Sequence, residues 1–146
     1  GVSTFGRQIE WSRSRLATPF GRKKGEVLSG NFSPTPGTDE NGAAAVIRSS
    51  CAADLRRQHT GAALDISFIP SSLDSENAVK AISGLIKAFV ALGGFFMQID
   101  TTDKELLRAA QRHPENYQNL SVRVSGWNAR FVTLSREWQD MIIERT

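Results

Sequence analysis

The chain has 146 residues, of which 40% are hydrophobic and 23% charged, with 18 Lys and Arg against 15 Asp and Glu. That balance fits one globular domain and excludes wholesale disorder or a collagen-like chain. The richest apolar stretch, Leu85 to Met97, is broken by Lys87 and the Gly93-Gly94 pair, well short of the roughly 18 residues a membrane span needs.

Residues 1–41 read as an irregular basic arm. At its start Arg7, Arg13, Arg15, Arg22, Lys23 and Lys24 crowd together against only Glu10 and Glu26, and Pro19, Gly21, Gly25, Gly30, Pro34, Pro36 and Gly37 punctuate the segment too often for long elements. Such charge could meet nucleic acid or acidic groups on a protein. No nucleic-acid motif accompanies it, so docking on protein is the expectation. The aromatic anchors Phe5, Trp11, Phe20 and Phe32 favour wrapping a partner's surface over free solution.

After Asn41-Gly42, the run from Ala43 through Leu55 favours helix by propensity. Ala62 to Ile69 alternates, with Leu64, Ile66 and Phe68 opposite Asp65 and Ser67, and reads as a strand stopped by Pro70. Ser75 then opens a helix whose Val79, Ile82, Ile86 and Phe89 recur at spacings of three and four, with Leu85 and Val90 widening the face. Gly93-Gly94 ends it. Phe95 to Ile99 is a short apolar strand, so the three elements form a βαβ unit with two parallel strands. Thr102 and Glu105 make a capping box for a helix over Asp103 to Arg112, closed by Pro114. Val122-Arg123-Val124 is a strand leading to Gly126, with Phe131 and Val132 on its return. Ser135 caps a last helix in which Trp138, Met141 and Ile142 share a face.

The usual catalytic constellations are missing. His59 and His113, the two histidines, stand at no metal-ligand spacing, and His113, before Pro114, reads as a helix C-terminal residue favoured by the dipole. Gly21 to Gly25 lacks the Walker spacing of a phosphate loop. The single cysteine, Cys51, permits no disulfide or iron–sulfur cluster within the chain and reads as a small packed side chain. With no signal-peptide pattern, the expected location is the cytoplasm. Residue 1 is Gly rather than Met, which points to processing, a cloning scar or a piece of a longer protein.

By local rules Gly126 is a hairpin residue supplying positive φ. Yet the segment Arg123-Val124-Ser125-Gly126-Trp127 resembles the radical-bearing loop of the glycyl radical enzymes, with Gly126 on the radical glycine. The likeness continues through Gly21 to Leu28, Ser33 to Gly42, Gly93 to Ile99, Ala110 to Tyr117 and the closing Ile142 to Thr146, so it covers residues 20–146 in family order. The resemblance implies an α/β fold: the C-terminal strands and helices of a ten-stranded barrel, with residues 1–41 as a wrapping arm and 42–146 as the glycyl radical domain. It also implies that no cofactor is bound here. The glycyl radical would be installed on Gly126 by a separate S-adenosylmethionine/iron–sulfur activase. Glycine suits the task, because a planar radical fed by the amide nitrogen and drained by the carbonyl would be opposed by a side chain.

Complete family members carry a thiyl-forming cysteine on a loop upstream, and nothing here resembles it. The expected function is therefore the radical-carrying subunit, or C-terminal portion, of a split enzyme of the lyase or dehydratase type, inactive without its cysteine-bearing partner. Two alternatives stand beside it: a stand-in that repairs oxygen-cleaved pyruvate formate-lyase, and a binding protein with no radical. The expected partners are the large subunit and the activase, with neither nucleic acid nor membrane. Arg123 and Trp127 either dry the loop's surroundings or pack structurally. Phe95, Phe96 and Met97 either line an apolar pocket or belong to a strand buried on both faces.

Overall fold

The alternation of Leu64 and Ile66 with Asp65 and Ser67 makes a strand, β1 (Ala63–Ser67), shorter at both ends than the pattern suggested. In the computed structural model, which describes residues 7–58, 61–69, 74–124 and 126–146, β1 pairs in parallel with β2 (Phe96–Asp100) in the register Leu64 to Met97 and Ile66 to Ile99. The expectations attached to Phe5, His59, Pro70 and Ser125 fall outside the described residues. Between the strands runs α3 (Ser75–Ala91), completing the βαβ unit of an α/β fold. Its cap is Asp74 rather than Ser75: the Asp74 carboxylate accepts the Asn77 N–H at 2.8 Å, one orphan donor of the first turn satisfied.

The predicted apolar face of α3 is only partly covered. Phe89 is buried and Leu85 packs beside it, while Val79, Ile86 and Val90 form a second stripe that stays exposed. The glycine pair ends the helix by a Schellman motif. Gly93, at φ +85°, donates to the Val90 carbonyl, and Gly94 donates to that of Phe89 at 2.8 Å. Gly94 has a further constraint, since a Cβ there would fall inside the Phe89 ring.

The propensity helix is α2 (Gly42–Cys51), ending earlier than Leu55. Asp54 turns to φ +50° and starts a separate 3-10 turn, Leu55–Arg57, a left-handed conformation that Asp tolerates better than most residues. Ile47, Cys51 and Leu55 pack with Leu64, Ile66 and Phe89 into one core. Burial pushes the Cys51 thiol up, as expected of an inert packed cysteine.

A second core belongs to the C-terminal third. Helix α4 (Lys104–Arg112) buries Leu107 and Ala110. Its N-cap is Asp103, accepting the Glu105 N–H at 2.6 Å, so the expected Thr102 box is displaced by one residue. His113 sits at the helix C-cap and is exposed. Helix α5 (Arg136–Arg145) contributes Met141, Ile142 and Ile143, with Trp138 half-buried against them. Ser135 holds the N-cap position without a side-chain bond to the backbone. Its hydroxyl serves Glu137 instead, whose carboxyl lies below its ordinary value through its own backbone N–H, Ser135 and Arg13.

Among its described residues the arm contains one short helix, α1 (Gln8–Ser12), and part of the arm lies on this chain's own body. Ile9 enters the C-terminal core with Val27 beside it, and Phe32 packs on the βαβ core. The Phe32 N–H bonds the Ala63 carbonyl at 2.8 Å, and Asp65 N–H donates to Ser33 Oγ at 2.8 Å, so the arm lines the free edge of β1. Beyond Arg13, which pairs with Glu137, residues 14–26 project instead: Leu16 and Phe20 face solvent, Phe20 at 98% exposure. Arg22 braces that loop by donating to the Leu16 and Glu26 carbonyls. None of the described helices is long and apolar enough to cross a membrane.

Candidate functional site

The motif around Gly126 folds as a hairpin. Its strands are β3 (Ser121–Arg123) and β4 (Asn128–Arg130), antiparallel, in the register Val122 to Ala129 and Arg123 to Asn128. The return strand is therefore Asn128 to Arg130. Phe131 keeps one ladder bond, its N–H donating to the Leu120 carbonyl at 2.8 Å, and then enters a 3-10 turn with Val132 and Thr133. Phe131 is fully buried and anchors that side of the hairpin in the C-terminal core. Val122 and Val124 anchor the other side.

The last cross-strand bond runs from the Val124 N–H to the Trp127 carbonyl at 2.8 Å, which leaves a two-residue tip. Gly126 takes the second tip position at φ +81°, a conformation open to glycine and costly for residues with a Cβ. It is exposed, as is Trp127 at 49%. Among the described residues nothing encloses the indole or the glycine.

Arg123 lies at the hairpin base, half-buried, with Nη1 donating to the Asn128 side chain at 3.5 Å. Its Nε is buried and finds no acceptor among the described residues. Arg145, in the last turn of α5, reaches the same base. Its Nη1 donates to the Val124 carbonyl at 2.9 Å, and Nη2 to the Arg123 carbonyl at 2.6 Å and to Asp100 Oδ2 at 3.1 Å. Burial raises the Asp100 carboxyl above the ordinary aspartate range. Arg145 opposes that rise, nearby Asp65 reinforces it, and Arg123 opposes it in turn. Sequence reasoning passed over Arg145 and Asp100. The partners of Arg145 are mostly main-chain carbonyls, which leave no mark on the residues that carry them.

Other sequence candidates stand apart from this hairpin. Phe95 and Phe96, expected to line a pocket or lie in a strand buried on both faces, are 64% and 46% exposed. Cys51 belongs to the βαβ core. Among the described residues no cluster of His, Cys, Asp or Glu gathers to hold a metal ion.

Comparison with known proteins places this hairpin in context. The family model described as "Glycine radical" matches residues 28–132. The chain is 35% identical over 144 residues to isethionate sulfite-lyase of Nitratidesulfovibrio vulgaris, covering 97% of this chain and 17% of that protein. It is 34% identical over 146 residues to the 4-hydroxyphenylacetate decarboxylase glycyl radical subunit of Clostridioides difficile, covering 99% of this chain and 16% of that one. The glycerol-bound B12-independent glycerol dehydratase of Clostridium butyricum superposes with a TM-score of 0.87 at 36% identity, over 96% of this chain and 18% of that one. The chain thus spans about a sixth of the length of the curated relatives it matches. With a family model matched over most of its length, sequence relatives among lyases and decarboxylases, and an α/β fold shared with a dehydratase, this chain belongs to the glycyl radical enzymes and corresponds to a short C-terminal portion of them.

Proposed function

We propose that the chain is the radical-carrying part of a split glycyl radical enzyme of the lyase or dehydratase type, with the stored electron on Gly126. The observation that carries this reading is the position of Gly126. It sits at the second place of a two-residue hairpin tip, at φ +81° and exposed, inside the segment that the family model matches. Such a tip offers the α-hydrogen to an incoming reagent without a side chain in the way. One hydrogen atom leaves the Gly126 α-carbon for a deoxyadenosyl radical supplied by a separate S-adenosylmethionine activase. In turnover the glycine takes a hydrogen atom back from a cysteine thiol on the large subunit and leaves a thiyl radical there.

The exposure of the tip supports a partner. A carbon radical that must last needs a dry, closed cavity, and the described residues enclose neither Gly126 nor Trp127. The uncovered stripe of Val79, Ile86 and Val90, together with Phe95 and Phe96, supplies apolar surface for the remainder of a barrel. The projecting loop with Leu16, Phe20, Lys23 and Lys24 gives the arm a part free to reach a partner, where acidic groups would meet its charge.

The test is anaerobic incubation of the chain with the activase and the cysteine-bearing polypeptide, followed by electron paramagnetic resonance. A doublet is expected for the wild type and none for Gly126→Ala. That variant should remain folded, with a backbone cost of about 1–2 kcal/mol at a positive φ. A wild-type complex that never acquires the spin refutes the reading.

A further inference from the structure

The guanidinium of Arg145 does more than end a helix. It is largely buried, with 16% of its side chain exposed, and its three bonds go to two elements distant in sequence. Two of them hold the carbonyls of Arg123 and Val124, the residues just before the hairpin tip. The third holds Asp100, the last residue of β2. Since the Val124 N–H is already bonded to Trp127, both backbone polar groups of Val124 are committed. The surroundings leave little slack: a void of only about 10 Å³ remains between Ser33, Asp65, Val124, Met141 and Arg145.

Among the described residues, Arg145 to Asp100 is the ion pair that joins the C-terminal helices to the parallel strands. A two-stranded hairpin by itself is a weak and flexible element. Here its base is fixed at one point to α5 and, through the same planar fork, to the end of β2. The fork geometry is particular to arginine, because lysine offers a point charge that cannot hold three acceptors in one plane.

We propose that Arg145 is the positioning residue of the glycine tip: it sets the direction in which Gly126 points by clamping the hairpin base to β2. This rests on the reading of Gly126 as the radical carbon, and it deepens that reading by naming what aims the carbon.

The test compares wild type, Arg145→Lys and Arg145→Met as full chains. Amide hydrogen exchange at Val124 reports the clamp with no radical required, and exchange at Leu64 and Ile66 in β1 reports general loosening. The spin yield per chain, after anaerobic activation with the cysteine-bearing polypeptide, reports aiming. Arg145→Met should speed exchange at Val124 by tenfold or more, leave the β1 amides unchanged and lower the spin yield severalfold. Arg145→Lys should fall between the two. Wild-type exchange at Val124 in Arg145→Met overturns the clamp. Faster exchange with an undiminished spin yield overturns the aiming role, as does acceleration shared equally by β1, which marks a merely structural residue. If Arg145→Met fails to fold, Arg145→Lys decides on the same three readouts. If the wild type gains no spin, the radical reading fails, and exchange at Val124 alone decides whether Arg145 orders the tip.

Discussion

Asp100 shows how a single carboxylate is placed under opposing forces. Burial favours its neutral form and Asp65 adds to that, while Arg145 and Arg123 favour the charged form. The balance leaves its carboxyl above the ordinary aspartate value. An acid that binds its proton more tightly in the folded state stabilises the fold below its unfolded value, about 3.9, and loses that contribution as pH rises through its raised folded value. Wild type should therefore lose stability relative to Asp100→Asn as pH is raised from the unfolded value, about 3.9, up through the higher folded value. Urea unfolding of both proteins across that range checks the sign; an opposite slope would mean that the two arginines outweigh burial. At this scale local rules read Gly126 only as a hairpin residue, which is the conformation it adopts; the resemblance of Arg123 to Trp127 to the radical-bearing loop is what singled it out among the glycines. Arg145 and Asp100 could not be singled out, because an arginine near a C-terminus and an aspartate after a strand are compatible with many unremarked surface roles.

Elements were read well where periodicity or punctuation was strong. The two parallel strands, the helix between them and the closing helix all follow from apolar spacing. The caps slipped by one residue, from Ser75 to Asp74 and from Thr102 to Asp103, because adjacent residues with capping oxygens compete and only the backbone angles choose between them. The Gly93-Gly94 pair reads from sequence as a helix stop, yet its second glycine is needed for a different reason. Phe89, the buried residue of α3, lies where a Cβ on Gly94 would be. Gly94→Ala should displace that ring and destabilise the chain by about 1–3 kcal/mol, measurable as a lower denaturation midpoint with an unchanged slope. A change within error would show that Phe89 has another rotamer available.

At the scale of the whole molecule, two cores are joined by the arm and by the Arg145–Asp100 pair. The arm was read as a wrapping segment, and part of it wraps this chain: Ile9 and Val27 seal one core and Phe32 the other. In α3 the expected helix forms, but its apolar face is covered only around Phe89 and Leu85. Apolar spacing predicts the helix without saying whether Val79, Ile86 and Val90 are covered. With these residues at 64%, 45% and 66% exposure, Val79→Glu combined with Val90→Glu should change unfolding free energy by no more than about 0.5 kcal/mol. The same pair should abolish assembly with the cysteine-bearing polypeptide, as read by size-exclusion chromatography. Large destabilisation of the chain alone would place the stripe in its own core.

The segments on either side of the hairpin tip are held to each other away from the tip, by a shared core and by Arg145. Residues 127–146 include Phe131, Met141 and Ile142 in the C-terminal core, and Arg145 grips carbonyls that lie on the far side of the tip. A peptide bond severed at the tip would thus leave the tail seated, its outline hardly altered. Its exchange for an intact tail would be slow, because the core contacts and the Arg145 bonds must break together before it leaves.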